Sequence, residues 1–152
     1  MKKVFATAQM SNSIIFTFCN NKIMYDFTWY QSLIHPPLAP PAWIFSPVWT
    51  ILYITMAASL FLYARKYAYK SKAWGYVLFF TQLFVNFAWT PAFFGMKNIT
   101  LALAILILLD ILVLFTIFEF AKVSKTASRL LISYFIWILF ATYLNFGYLF
   151  LN

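Results

Sequence analysis

Long uncharged apolar runs, separated by short polar and basic breaks, make up most of this chain. Ile44 to Tyr63, Ala73 to Met96 and Leu130 to Asn152 hold no charged residue, and Ile99 to Phe118 holds one, Asp110. A helix needs about 20 apolar residues to cross the hydrocarbon core, so each run predicts a transmembrane helix. A membrane β-strand would alternate apolar and polar positions over about ten residues, which these runs do not. A further run, Val4 to Cys19, is also uncharged but is interrupted by Gln9, Ser11, Asn12 and Ser13. It follows Met1-Lys2-Lys3, yet no small-x-small cleavage site succeeds it, so it reads as a weakly hydrophobic first span rather than a signal peptide. The pattern predicts an all-α integral membrane protein of one domain, 1–152. Its five transmembrane helices run over 4–24, 44–64, 73–96, 99–121 and 130–151, with a loop at 25–43.

Charge tests this arrangement. With the N-terminus on one side, Lys2, Lys3, Arg65, Lys66, Lys70, Lys72, Lys122, Lys125 and Arg129 share that side, nine of the eleven Lys and Arg residues. Only Lys22 and Lys97 fall opposite. Basic residues concentrate on the cytoplasmic side of membrane proteins, which predicts a cytoplasmic N-terminus and an external C-terminus. Composition agrees: 64% of residues are hydrophobic and 9% charged, against about 25% charged in soluble domains. The net charge of +8 is then the signature of cytoplasmic lysines, not of a nucleic-acid partner. A single cysteine, Cys19, rules out an intramolecular disulfide, and with His35 the only histidine no conventional metal site is expected.

The loop has an unusual make-up. "TWYQSLIHPPLAPPAWIFSPVW", residues 28–49, carries five of the six prolines and three of the six tryptophans, without one charge. Proline pre-sets the backbone and removes a donor, and indole rings favour the headgroup level. A rigid uncharged lid over the outer end of the bundle is expected. At about 1.5 Å rise per residue, Trp49 lies roughly 8 Å below that end, Tyr53 and Asn86 roughly 14 Å, Trp89 and Asn145 roughly 9 Å, Ala141 roughly 15 Å and Trp137 roughly 21 Å. Gln82, Asn86, Trp89, Thr90 and Phe93 share one helix face, and Trp137, Ala141 and Asn145 share another. Aromatic walls with a few amides suit a large, flat, mostly apolar ligand, although packing alone also produces aromatic stripes. Thr90-Pro91 predicts a distortion of the third span.

Three segments in this order, "WYQSLIHPPLAPPAWIFSPVW", "QLFVNFAWTPAFFG" and "LLISYFIWILFATYLN", resemble the signature regions of the translocator protein family, also called tryptophan-rich sensory proteins or peripheral benzodiazepine receptors. The resemblance covers residues 28–152 and is of the bacterial type. It implies a five-helix bundle in a bacterial plasma membrane, commonly a homodimer, with a pocket under the first loop. The implied ligands are tetrapyrroles such as protoporphyrin IX or haem-like molecules, and benzodiazepine-type compounds. Carried over by motif, the ligand-binding positions are Tyr30, Pro41, Trp49, Tyr53, Asn86, Trp89, Thr90, Trp137 and Ala141. Trp49 and Trp137 correspond to tryptophans associated with light- and oxygen-dependent porphyrin breakdown. No cofactor is implied; the porphyrin is ligand or substrate. The family's acid in the fourth span is Ile105 here, and the proline before its last Tyr is Ser133.

The remaining candidates have plainer readings. Asp110 is the one acid near mid-membrane, a position that is functional by default but also suits a hydrogen bond to a neighbouring helix. Glu119 and Lys122 suit a surface pair one helical turn apart. His35 suits either a solvated loop residue or a group that coordinates or orients a porphyrin. The expected function is a membrane receptor or sensor for tetrapyrroles. The alternatives are a photo-oxidative porphyrin-degrading enzyme and a porphyrin or lipid transporter; one proline distortion and an odd helix count lack the paired repeats that mark many transporters.

Overall fold

A computed structural model describes residues 27–67 and 72–152; the expected first span, 4–24, and Cys19 lie outside the described residues. Among the described residues there are five α-helices and no strand. A short helix α1 (Phe27–Ser32) and a 3₁₀ turn (Ala42–Ile44) lead into α2 (Phe45–Arg65), followed by α3 (Ala73–Thr90), α4 (Ile99–Ala121) and α5 (Lys125–Leu151). The four from α2 onward are long and apolar enough to cross a membrane.

Local chemistry sets the helix ends. Pro47 sits in the first turn of α2, where its missing N–H has no intrahelical acceptor to lose. At the other end Lys72 Nζ donates to the carbonyls of Tyr63 (3.2 Å) and Ala64 (2.9 Å), which the last turn leaves without helical partners. Asn98 caps α4 by accepting from Leu101 N–H at 2.9 Å, and Ser124 caps α5 by accepting from Ala127 N–H at 3.3 Å. The fifth helix therefore begins five residues before the expected 130. Charge stops only after Arg129, but Lys125 and Arg129 are already helical and the Ser124 cap sets the start. The loop expected over 25–43 is likewise not wholly irregular, since it contains α1 and the 3₁₀ turn.

Pro91 has no N–H to offer the Phe87 carbonyl, and α3 widens there into a π turn, Pro91–Gly95. Met96 N–H donates to the Pro91 carbonyl at 2.8 Å and Asn98 N–H to that of Ala92 at 3.2 Å. The distortion expected at Thr90-Pro91 takes this form, as π turns commonly do at functional sites.

In the bundle, α4 packs between α3 and α5, and α2 packs on α5. The core under the basic end is aromatic: Tyr63 stacks on Phe120 with centroids 3.9 Å apart and 6° between planes, and Phe79 continues the stack at 5.8 Å. Gly75 permits this approach, because a Cβ there would overlap the Tyr63 ring and hydroxyl. Three buried hydroxyls are matched across helices. Ser59 Oγ donates to the Ala127 carbonyl at 2.7 Å, Ser128 Oγ to that of Ile117 at 3.0 Å, and Tyr134 Oη to Gln82 Oε1 at 3.1 Å. Without water in the hydrocarbon, such groups must find partners in the protein.

Candidate functional site

The helical period brings seven side chains to one cleft near the lid end: Phe45 and Trp49 from α2, Asn86 and Trp89 from α3, Leu106 from α4, and Trp137 and Ala141 from α5. On α2 and α5 each pair is four residues apart and on α3 three, so each shares a face. Trp137 meets Phe45 edge-on with centroids 6.1 Å apart, and Trp49 leans on Tyr53 at 5.8 Å. No charged residue lines the cleft. Its free volume is about 20 Å³, on the order of one water molecule.

Polar satisfaction within the cleft is uneven. With the Asn145 amide oriented to satisfy both neighbours, its oxygen accepts from Trp89 Nε1 at 3.3 Å and its nitrogen donates to the Ile99 carbonyl at 3.1 Å. By contrast, Asn86 Nδ2 and Trp137 Nε1 are buried and make no hydrogen bond among the described residues. A buried donor without an acceptor costs about 1–3 kcal/mol. Both orphans are donors, so the wall is suited to a hydrogen-bond acceptor on an otherwise apolar molecule.

Five of the nine expected binding residues thus converge: Trp49, Asn86, Trp89, Trp137 and Ala141. The other four stand elsewhere. Tyr53 is one turn further along α2, stacked on Phe87 at 6.0 Å and 37% exposed. Thr90 is partly buried and does not line the cleft, and Pro41 is exposed on the lid. Tyr30 is buried in a second aromatic cluster with Phe93 and Tyr148, joined to the cleft by Trp89, which stacks on Phe93 at 5.2 Å. Phe45 and Leu106 were not anticipated. Phe45 had a signal, its position one turn before Trp49, whereas Leu106 is one leucine among many.

The lid is fastened to the last turns of α5, which the sequence did not disclose. Asn152 brackets Ile34, accepting from its N–H at 2.8 Å and donating to its carbonyl at 3.2 Å. Tyr143 Oη donates to the Pro37 carbonyl at 3.2 Å, and Pro36 packs onto Gly147, where a Cβ would lie 2.5 Å from Pro36 Cβ. His35 is not merely solvated, for its Nδ1 lies 2.7 Å from Tyr148 Oη. Trp43 and Trp74, at helix ends, are both largely exposed, as interface anchors are. Asp110 accepts from Thr142 Oγ1 at 2.8 Å, the interhelical bond expected of it, while its Oδ1 is buried and unpartnered among the described residues. Glu119 pairs with Lys122.

Fold and site define a class: a multi-pass helical membrane protein with an uncharged aromatic cleft beside a proline-rich cover. A sequence model described as the TspO/MBR family matches residues 5–151. The chain is 43% identical over 125 residues to the tryptophan-rich protein TspO of Chlorobaculum tepidum, covering 82% of this chain and 79% of that one. It is 35% identical over 124 residues to the tryptophan-rich sensory protein of Cereibacter sphaeroides, covering 82% and 77%. With the translocator protein of Homo sapiens it shares 36% over 120 residues, covering 78% and 71%. The chain belongs to the TspO/MBR family. It is an integral membrane protein, and this membership supports a membrane sensor or receptor role.

Proposed function

We propose that the chain is a membrane receptor for tetrapyrroles, with benzodiazepine-type compounds as synthetic ligands of the same cleft. The observation that carries this reading is the meeting of Trp49, Trp89 and Trp137 around two unpartnered donors, Asn86 Nδ2 and Trp137 Nε1. Flat indole walls suit a planar macrocycle, and the donors suit its carbonyl or carboxylate groups. A free volume of about 20 Å³ is far below the 300–1,000 Å³ of pockets for drug-sized ligands, so binding requires the cleft to widen. The lid end faces outward and the basic end faces the cytoplasm of a bacterial plasma membrane.

Titration with protoporphyrin IX, followed by tryptophan fluorescence, tests this. Saturable quenching in the micromolar range is expected, weakened about tenfold in Asn86→Ala, the loss of one neutral hydrogen bond. Absence of saturable binding by the intact protein would refute the reading.

A second reading, photo-oxidative porphyrin breakdown, is favoured by one observation: Trp49 and Trp137 line the same cleft. Indoles against a photoexcited macrocycle can donate electrons, with the tetrapyrrole carrying the chemistry. Illumination in air should then bleach the bound Soret band faster than in detergent alone. Trp137→Phe should slow bleaching while binding stays within about tenfold; unchanged bleaching removes Trp137 from the reaction.

A further inference from the structure

We infer that the Pro36–Ala39 turn anchors the lid in the bilayer, with the Leu38 side chain among lipid acyl chains at the edge of the hydrocarbon. The course of the lid along α5 points to this. Ile34 is held by Asn152, at the very end of that helix. Pro36 packs on Gly147, and the Pro37 carbonyl accepts from Tyr143 Oη. Between Asn152 and Tyr143 the helix axis covers roughly 13 Å. The lid therefore does not stay above the bundle; it descends the flank of α5 toward the bilayer.

The shorter helices locate the hydrocarbon. The spans Ala73–Gly95 and Ile99–Ala121 have 23 residues each, roughly 34 Å of helix, against a hydrocarbon core of about 30 Å. The boundary at the lid end thus lies close to Ile99. Asn145 donates to the Ile99 carbonyl, so Tyr143 stands at or just inside that boundary. Ile34, level with Asn152, stands about 10 Å outside it. Next to Pro37, Leu38 is 79% exposed, on the side of α5 that also exposes Leu139, Tyr143 and Phe146.

The backbone suits that depth. Hydrocarbon tolerates irregular backbone only where its polar groups are satisfied. "PPLAPP", residues 36–41, has two N–H groups in six residues, because proline has none. That of Ala39 donates to the Pro36 carbonyl at 3.2 Å. The Pro37 carbonyl is taken by Tyr143, and that of Pro41 accepts from Ile44 N–H at 3.0 Å. The turn presents Leu38 at φ 69°, a place that β-turns ordinarily fill with glycine or asparagine. A large apolar side chain there, turned away from the bundle at the edge of the hydrocarbon, fits lipid.

Spin labelling of the intact chain in nanodiscs, in a Cys19→Ser background, tests the anchor. Labels on Leu38→Cys and Ile34→Cys are compared with a lipid control, Leu139→Cys, and a water control, Lys97→Cys. Leu38 should be reached by oxygen in preference to a nickel chelate, as Leu139 is. Ile34, equally apolar but higher on α5, should prefer the chelate, as Lys97 does. Chelate preference at Leu38, oxygen preference at Ile34, or shielding of Leu38 from both reagents by a second copy overturns the inference. Leu38→Asn supplies a second readout, since asparagine takes positive φ readily and keeps the turn without the lipid contact. The Ile34 and Ala39 amides should then exchange about tenfold faster, in line with the loss of a leucine side chain from apolar surroundings. Unchanged or slower exchange would mean that the backbone alone holds the turn, and would overturn the anchor.

Discussion

Thr142 shows how much a single side chain matters in the hydrocarbon. Its hydroxyl is the one donor that reaches the Asp110 carboxyl among the described residues. Thr142→Val should lower stability by about 1–2 kcal/mol, because the carboxyl loses its partner where no water can replace it. Adding Asp110→Leu should recover most of that loss, since removing both partners is far cheaper than orphaning one. Thermal unfolding in micelles of the two variants checks the sign of the coupling. Equal losses in the single and double variants would mean that water already reaches Asp110. Ser59 is the simpler case, buried and donating to Ala127 across α2 and α5. Ser59→Ala should cost about 0.6 kcal/mol, the typical value for an interhelical bond in a membrane.

At the scale of elements, two glycines set how closely neighbours approach. Gly147 lies under Pro36 of the lid, so Gly147→Val should lift the lid from α5 without disturbing the helix itself. Faster hydrogen exchange at the Leu33, Ile34 and Ala39 amides, together with faster protoporphyrin dissociation, is the expected result. Asn152→Ala, which removes the Ile34 bracket, should act in the same direction. Unchanged exchange in both variants would show that the prolines alone hold the lid. Gly75 plays the corresponding part at the basic end, between α3 and Tyr63 of α2. Gly75→Leu should cost about 1–3 kcal/mol through overpacking, since Tyr63 is stacked on Phe120 and has no room to retreat.

For the whole molecule, the basic residues Arg65, Lys66, Lys72, Lys122, Lys125 and Arg129 gather at the end away from the lid, and Lys97 stands at the lid end, next to the π turn. The proposed orientation makes an accessibility prediction. In a Cys19→Ser background, cysteine placed at Lys97 should react with an impermeant reagent added outside intact cells. Cysteine at Lys122 should react only after permeabilisation. The reverse pattern would invert the molecule and place the lid, with His35, on the cytoplasmic side.

The spans from the second onward were legible because the thickness of the hydrocarbon dictates their length, although charge misplaced the start of the last, which the Ser124 cap sets. The depths and shared helix faces of Trp49, Asn86, Trp89, Trp137 and Ala141 were legible too, because rise per residue sets depth and helical period sets which side chains share a face. Both are properties of one helix and need no neighbour. Rotation of each helix about its axis was not legible. In a chain apolar on every side, periodicity does not distinguish the face that meets lipid from the face that meets protein. Tertiary packing therefore decided that Leu106 and Phe45 enter the cleft while Tyr53 stacks on Phe87 and Tyr30 joins another cluster. It alone brought His35 to Tyr148, 113 residues away, and Ile34 to Asn152. Contacts between a loop and a distant helix end carry no local pattern; they exist only once the helices have settled on which faces to bury.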